Sequence, residues 1–100
     1  MTAAFEVRVD PDCVVWLSGE LDMATAAEFA MTAMGALDGQ RELVLDMSAL
    51  RFLDSTGIQA IVETARRADR GVVLRSPRPN VRRVLELTGI PDKDGIRVEA

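Results

Sequence analysis

Leu43-Val44-Leu45-Asp46-Met47 and, a few residues further on, Phe52-Leu53-Asp54-Ser55-Thr56-Gly57-Ile58 decide how this chain folds. The first is an apolar run bounded by the polar Gln40-Arg41-Glu42, and it reads as a strand. After the second the period changes. Ile58, Ile61, Val62 and Ala65 recur at steps of three and four, which predicts a helix that starts just after Asp54-Ser55 and buries those four residues. Gln59, Glu63, Arg66, Arg67 and Arg70 fall on the outer face, where Glu63 can pair with Arg67 one turn on, and Gly71 stops the helix. A strand that feeds a helix in this way is the first half of a parallel crossover.

Upstream, Phe5-Glu6-Val7-Arg8-Val9-Asp10 alternates with period two, as a strand with one wet face does. Asp10-Pro11-Asp12 is a turn, and Cys13-Val14-Val15-Trp16-Leu17 reads as a more buried second strand, antiparallel to the first. Thr25 and Glu28 have capping-box spacing, and Ala26, Phe29, Ala30, Ala33, Met34 and Leu37 make one helical stripe that Asp38-Gly39 ends. Downstream, Val72-Val73-Leu74 is a short strand and Ser76-Pro77-Arg78-Pro79 a turn. Asn80 is placed to cap a third helix carrying Val81, Val84 and Leu85 inward, with Gly89 and Pro91 closing it. Ile96-Arg97-Val98 can close the sheet. The predicted order is β-β-α-β-α-β-α-β. It describes one α/β domain over residues 1–100, a mixed sheet with parallel core strands covered by helices. The connections leave no room for a lid or an inserted domain.

Composition narrows the function. Hydrophobic residues are 48% and charged residues 28% of the chain, a globular balance. No apolar run reaches the roughly 20 residues that span a bilayer, and no leader pattern opens the chain, so the expectation is a soluble, cytoplasmic protein with no membrane partner. Cys13 is the only cysteine, which excludes an internal disulfide and a paired-thiolate metal site. Histidine is absent, which removes the Ser-His-Asp triad and imidazole ligands. A net charge of −4 argues against a sequence-independent grip on nucleic acid. An enzyme using Asp54 and Asp22 as an acid-base pair would lack a base to activate a nucleophile and any metal set. No enzyme, metal or cofactor is therefore expected. Trp16 and the methionines at 23, 31, 34 and 47 are expected on the core or on helix faces, with no ligand.

The Asp54-Ser55-Thr56-Gly57 segment supports two readings. In one, Ser55 caps the helix, Asp54 favours the positive end of its dipole, and Gly57 packs closely. In the other, backbone amides at the helix start favour an anion such as phosphate. A phosphate on Ser55 would add about −1.5 to −2 charge beside Asp54 and Asp22, and so repel a partner resting there. No GxxxxGKS or GxGxxG run is present to hold a nucleotide.

Gly19-Glu20-Leu21-Asp22 paired with Asp54-Ser55-Thr56-Gly57 resembles a STAS domain of the bacterial anti-sigma-factor antagonists. The resemblance extends to Leu43-Val44-Leu45-Asp46-Met47 and to Val81-Arg82-Arg83-Val84-Leu85-Glu86-Leu87-Thr88-Gly89. It implies a protein that binds an anti-sigma factor when unphosphorylated, and so releases a sigma factor for transcription. The anti-sigma factor is in this family a serine kinase with a histidine-kinase-like fold, and a PP2C-type phosphatase reverses its action. By the same resemblance Ser55 is the phosphoacceptor, with Thr56 as the other hydroxyl in reach. Asp22, Asp54, Thr56, Gly57, Ile58 and Gln59 form the partner-contact region, and for Asp22 a cap of the first helix is the competing role. The alternative that the resemblance leaves open is a STAS-fold module that binds a small molecule or lipid near the same helix start.

Overall fold

In the strand from Val14 to Leu21 every second residue is buried, so one side of the chain belongs to a core and the other does not. That asymmetry runs through the whole architecture. The computed structural model describes residues 5–93 and 95–100. In chain order these form β1 (Phe5–Val9), β2 (Val14–Leu21), α1 (Ala26–Gly35), β3 (Leu43–Leu53), α2 (Ser55–Arg67), β4 (Val72–Arg75), α3 (Pro79–Leu87), a 3-10 turn at Ile90–Asp92 and β5 (Ile96–Glu99). The predicted order is observed.

The five strands lie in the order β1-β2-β3-β4-β5. The β1–β2 pair is antiparallel and every other pair is parallel. Each parallel step moves the same way across the sheet, and right-handed crossovers then place all three helices on one side. The core agrees. A single apolar cluster joins Phe29 and Ala33 of α1, Ile58 and Ile61 of α2, and Val81 and Leu85 of α3 to Leu17, Leu45, Met47 and Leu74 of the sheet. Each fully buried Leu or Phe in it contributes about 1.5–3 kcal/mol.

Among the described residues no helix lies over the other side of the sheet, which is unusual where strands are parallel. Its residues make that tolerable. Arg8, Trp16, Asp46, Arg75 and Glu99 form one cross-strand row, paired in register from β1 to β5. The Trp16 ring takes the Arg8 guanidinium at 5.2 Å and that of Arg75 at 5.3 Å from its centroid. Its indole N–H donates to Asp10 Oδ2 at 2.8 Å, and this bond above all holds the Asp10 carboxyl below its ordinary pKa. Asp46 is only 4% exposed. Burial alone would raise its pKa. The Ser48 hydroxyl and amide and the Arg75 Nε, which donates at 2.8 Å, outweigh that, and the net shift is downward. Trp16 thus belongs to a polar ladder on the open side of the sheet, where a place in the core or on a helix face was expected of it. Of the methionines expected on the core or on helix faces, Met47 is in the core and Met31 and Met34 lie on α1, while Met23 stands exposed in the turn before it.

Several boundaries differ from expectation for reasons that can be read locally. β3 runs to Leu53, whereas the apolar run read as a strand ended at Met47. Between the Val14↔Val44 and Leu21↔Leu53 pairs, β2 advances from 14 to 21 while β3 advances from 44 to 53, with register shifts at Trp16/Ser18 and Gly19/Glu20. Bulges that put extra residues into one strand break its period-two pattern without ending it. β2 continues past Leu17 to Leu21 along the same pairing. α1 stops at Gly35, short of Asp38-Gly39, with Ala36 and Leu37 still packed against the core. α3 is capped by the extended residue Arg78 with Pro79 at its first position. Asn80 does not cap it, and its side-chain amide donates to the Arg51 carbonyl at 2.8 Å. Glu63 pairs with Arg66 and not with Arg67.

Candidate functional site

Parallel pairing brings the ends of β2 and β3 to the same edge. Leu21 pairs with Leu53, so Asp22 and Asp54 each leave the sheet one residue later, side by side. The Asp54 N–H reaches back to the Leu21 carbonyl at 3.3 Å and ties the two exits together.

Asp54 is the N-cap of α2, a role expected of Ser55. Its backbone is extended (φ −111°, ψ −175°), and its Oδ1 accepts the N–H groups of Thr56 and Gly57, both at 3.0 Å. This corrects the picture of a helix start open to phosphate, because the carboxylate already occupies those two amides and supplies the negative charge that the dipole favours. Ser55 is then the first helical residue and is exposed, while Thr56 is half-buried. Gly57 is buried because a Cβ there would meet Leu53 Cδ1 at 2.7 Å, the Leu21 carbonyl oxygen at 2.8 Å and Leu21 Cγ at 2.9 Å. Ile58 is buried as well, and Gln59 is exposed. Gly57 and Ile58 therefore seat the helix on the sheet, and Ser55 and Gln59 present its outer surface.

Asp22 organises the neighbouring turn. Its Oδ1 accepts from the Ala24 N–H at 2.9 Å, and its own N–H donates to Thr25 Oγ1 at 3.0 Å. The Thr25 hydroxyl donates to the Glu20 carbonyl at 2.9 Å. Thr25 holds the N-cap position of α1, but its side chain makes no capping bond, so the expected Thr25–Glu28 capping box is absent. The hydroxyl is spent on closing the loop behind Asp22. The Asp22-x-x-Thr25 spacing carries that signal, since short polar side chains bond their own backbone a few residues away.

Two exposed apolar side chains at this edge were not among the site residues expected from the sequence. Phe52 pairs with Glu20 on the open side of the sheet and is 46% exposed, and Met23, next to Asp22, is 80% exposed. Elsewhere, a groove of about 670 Å³ lined by Ala30, Met31, Met34, Leu37 and Arg67 lies toward the C-terminal end of α2. Among the described residues no group of three or more acidic, His or Cys side chains could hold a metal ion, and no helix is long and apolar enough to cross a membrane.

A mixed sheet covered on one side, with an acidic pair and a serine-led helix at the ends of two of its inner strands, defines a small α/β domain. The chain belongs to the STAS domain family, whose pattern it matches over residues 4–99. It is 28% identical over 86 residues, 82% of this chain and 74% of the relative, to BtrV of Bordetella bronchiseptica, which carries the name of an anti-sigma factor antagonist. The crystal structure of an anti-sigma factor antagonist from Mycobacterium paratuberculosis superposes with a TM-score of 0.71 at 33% identity, covering 93% of this chain and 83% of that one. The fold is shared with the unphosphorylated anti-sigma factor antagonist SpoIIAA, with a TM-score of 0.71, 20% identity and coverage of 97% and 89%. A STAS domain protein from Planctomyces limnophilus also shares it, at 0.69, 22%, 98% and 92%. By homology the chain falls in the anti-sigma factor antagonist family.

Proposed function

We propose that this chain acts as a non-enzymatic switch in the cytoplasm: unphosphorylated, it binds an anti-sigma factor that is also a serine kinase, and phosphate on Ser55 ends that binding. A PP2C-type phosphatase then restores the binding form. The observation that carries this reading is the placement of Ser55. It is an exposed hydroxyl at the first position of α2, set at the edge where Asp22 and Asp54 leave the sheet, with two of the helix-start amides already held by Asp54. A phosphate added there finds a carboxylate where an anion cradle would otherwise be. It stays on the surface as added charge and raises the desolvation cost for any partner seated on that edge. The greater exposure of Ser55 supports it over Thr56 as acceptor. The relatives named as anti-sigma factor antagonists support the choice of partner.

The test is incubation of the purified chain with the host's anti-sigma serine kinases and Mg-ATP, followed by intact-mass measurement. One added phosphate on the wild type, none on Ser55→Ala, and retained binding by Ser55→Ala are expected. Full phosphorylation of Ser55→Ala would move the acceptor to Thr56 or sink the switch.

A further inference from the structure

Large apolar side chains left in water are ordinary when they stand singly, but where they gather at one edge of a small domain they mark a surface that something else covers. Among the described residues these are Val9, Met23, Met31, Phe52 and Leu87. Two of the five, Met23 and Phe52, stand at the edge that carries Asp22, Asp54 and Ser55. Neither belongs to the core cluster or packs against it.

Both are held rigidly. Phe52 sits in paired strand, opposite Glu20, one residue before the Leu21↔Leu53 pair. Met23 projects from a turn closed by three hydrogen bonds: Ala24 N–H to Asp22 Oδ1, Asp22 N–H to Thr25 Oγ1, and the Thr25 hydroxyl to the Glu20 carbonyl. A fixed backbone spares binding the cost of ordering the chain, so only the rotamer freedom of the side chain itself is lost when such an anchor is buried. Around the two anchors lie the carboxylates of Glu20, Asp22 and Asp54, none of which is in an ion pair among the described residues. Arg51 is the only basic residue of β3.

We infer that Met23 and Phe52 are the apolar anchors of the partner interface, and that they seat in an apolar cleft whose rim is basic. The occupant is a protein surface in which Arg or Lys side chains face Glu20, Asp22 and Asp54 across the contact. The inference rests on the proposed binding of an anti-sigma factor at the start of α2 and adds the residues and the partner chemistry. It also accounts for the force of one phosphate. Ser55 follows Asp54 beside the anchors, so added charge prevents the rim from drying and the anchors from seating together.

The experiment immobilises the host's purified anti-sigma serine kinases one by one and measures binding of the wild type, Met23→Ala, Phe52→Ala, Ser55→Asp and Met31→Ala. Met31 is an equally exposed methionine on α1, away from this edge. Met23→Ala and Phe52→Ala should each weaken binding at least tenfold with unchanged unfolding midpoints, Met31→Ala should bind as wild type, and added salt should slow association. Wild-type affinity in both anchor variants, with binding lost in Ser55→Asp, overturns the anchors and leaves the switch intact. Equal weakening by Met31→Ala also overturns them, because the contact then lies on α1. Absence of binding by both the wild type and Ser55→Ala overturns the underlying function and the anchors with it. Should Phe52→Ala alone shift the unfolding midpoint, Met23→Ala, at a position 80% exposed, decides.

Discussion

The backbone of Gly57 passes so close to Leu21 that a Cβ on the glycine would stand 2.8 Å from the leucine carbonyl oxygen. That oxygen also receives the Asp54 N–H, so it is fixed and cannot swing aside. Replacing glycine by alanine inside a helix ordinarily stabilises by roughly 1 kcal/mol. Here the overlap costs about 1–3 kcal/mol and should win. Gly57→Ala is expected to lose about 1–2 kcal/mol, read as a lower urea midpoint by Trp16 fluorescence. A more stable variant would show that the helix start can slide off the sheet.

Asp54 caps α2 through one oxygen and contributes charge through the whole carboxylate, and the two roles can be separated. Asn keeps the capping acceptor and loses the charge, whereas Ala loses both. Asp54→Ala should therefore cost about 1 kcal/mol of stability, and Asp54→Asn much less. The check is the order of thermal midpoints, with wild type close to Asp54→Asn and both above Asp54→Ala. If the two variants fall equally, charge at the helix dipole and not the cap bond carries the stability.

Legibility in the sequence followed how local each signal was. The α2 stripe of Ile58 and Ile61 and the alternation of β1 are repeated patterns, and the elements appear where they were expected. The second half of β3 was invisible, because Ser48-Ala49-Leu50-Arg51-Phe52-Leu53 has a period that the bulges break, and bulges are set by the partner strand. The cap moved from Ser55 to Asp54 for a related reason. Both residues can cap, and the parallel pairing of Leu21 with Leu53 decides where the strand lets go. Asp22 and Ser55 were legible as a pair through their flanking motifs. The exposure of Met23 and Phe52 was not, since an apolar residue beside a strand end carries no mark of which face it takes.

Asp46 supplies a test by pH. Its folded pKa lies below the ordinary 3.8, so the folded state holds the ionised form more tightly than the unfolded chain does. The resulting stability is complete above 3.8 and is lost as pH falls through the lower folded value. Asp46→Asn leaves Arg75 without its charge partner and should cost about 1.5–3 kcal/mol near neutrality, the range for hydrogen bonds to charged groups. The variant should also lose less stability than the wild type on acidification. Asp10, Asp38 and Glu42 are depressed as well, so both proteins weaken in acid, and the difference between them isolates Asp46. Urea titrations at neutral pH and near pH 3 measure it, and parallel losses would mean that the ion pair adds no pH-linked stability.

Ser55 and Thr56 separate charge on the surface from charge in the fold. Ser55 is exposed at the first helical position, where an acidic side chain gains from the dipole and loses to the neighbouring Asp54. Ser55→Asp should therefore stay within about 0.5 kcal/mol of wild-type stability, as surface substitutions generally do. Thr56 is half-buried at the next position, and a carboxylate there must be partly desolvated beside the one that already holds its amide. Thr56→Asp should be the less stable of the two, by about 1 kcal/mol or more. Thermal unfolding of the two variants side by side checks the order. Equal midpoints would mean that the Thr56 side chain can turn out to solvent, which would make it as accessible to a kinase as Ser55. The expected inequality gives the switch its physical character, because a charge added at Ser55 changes what the edge can bind while the domain beneath it stays folded.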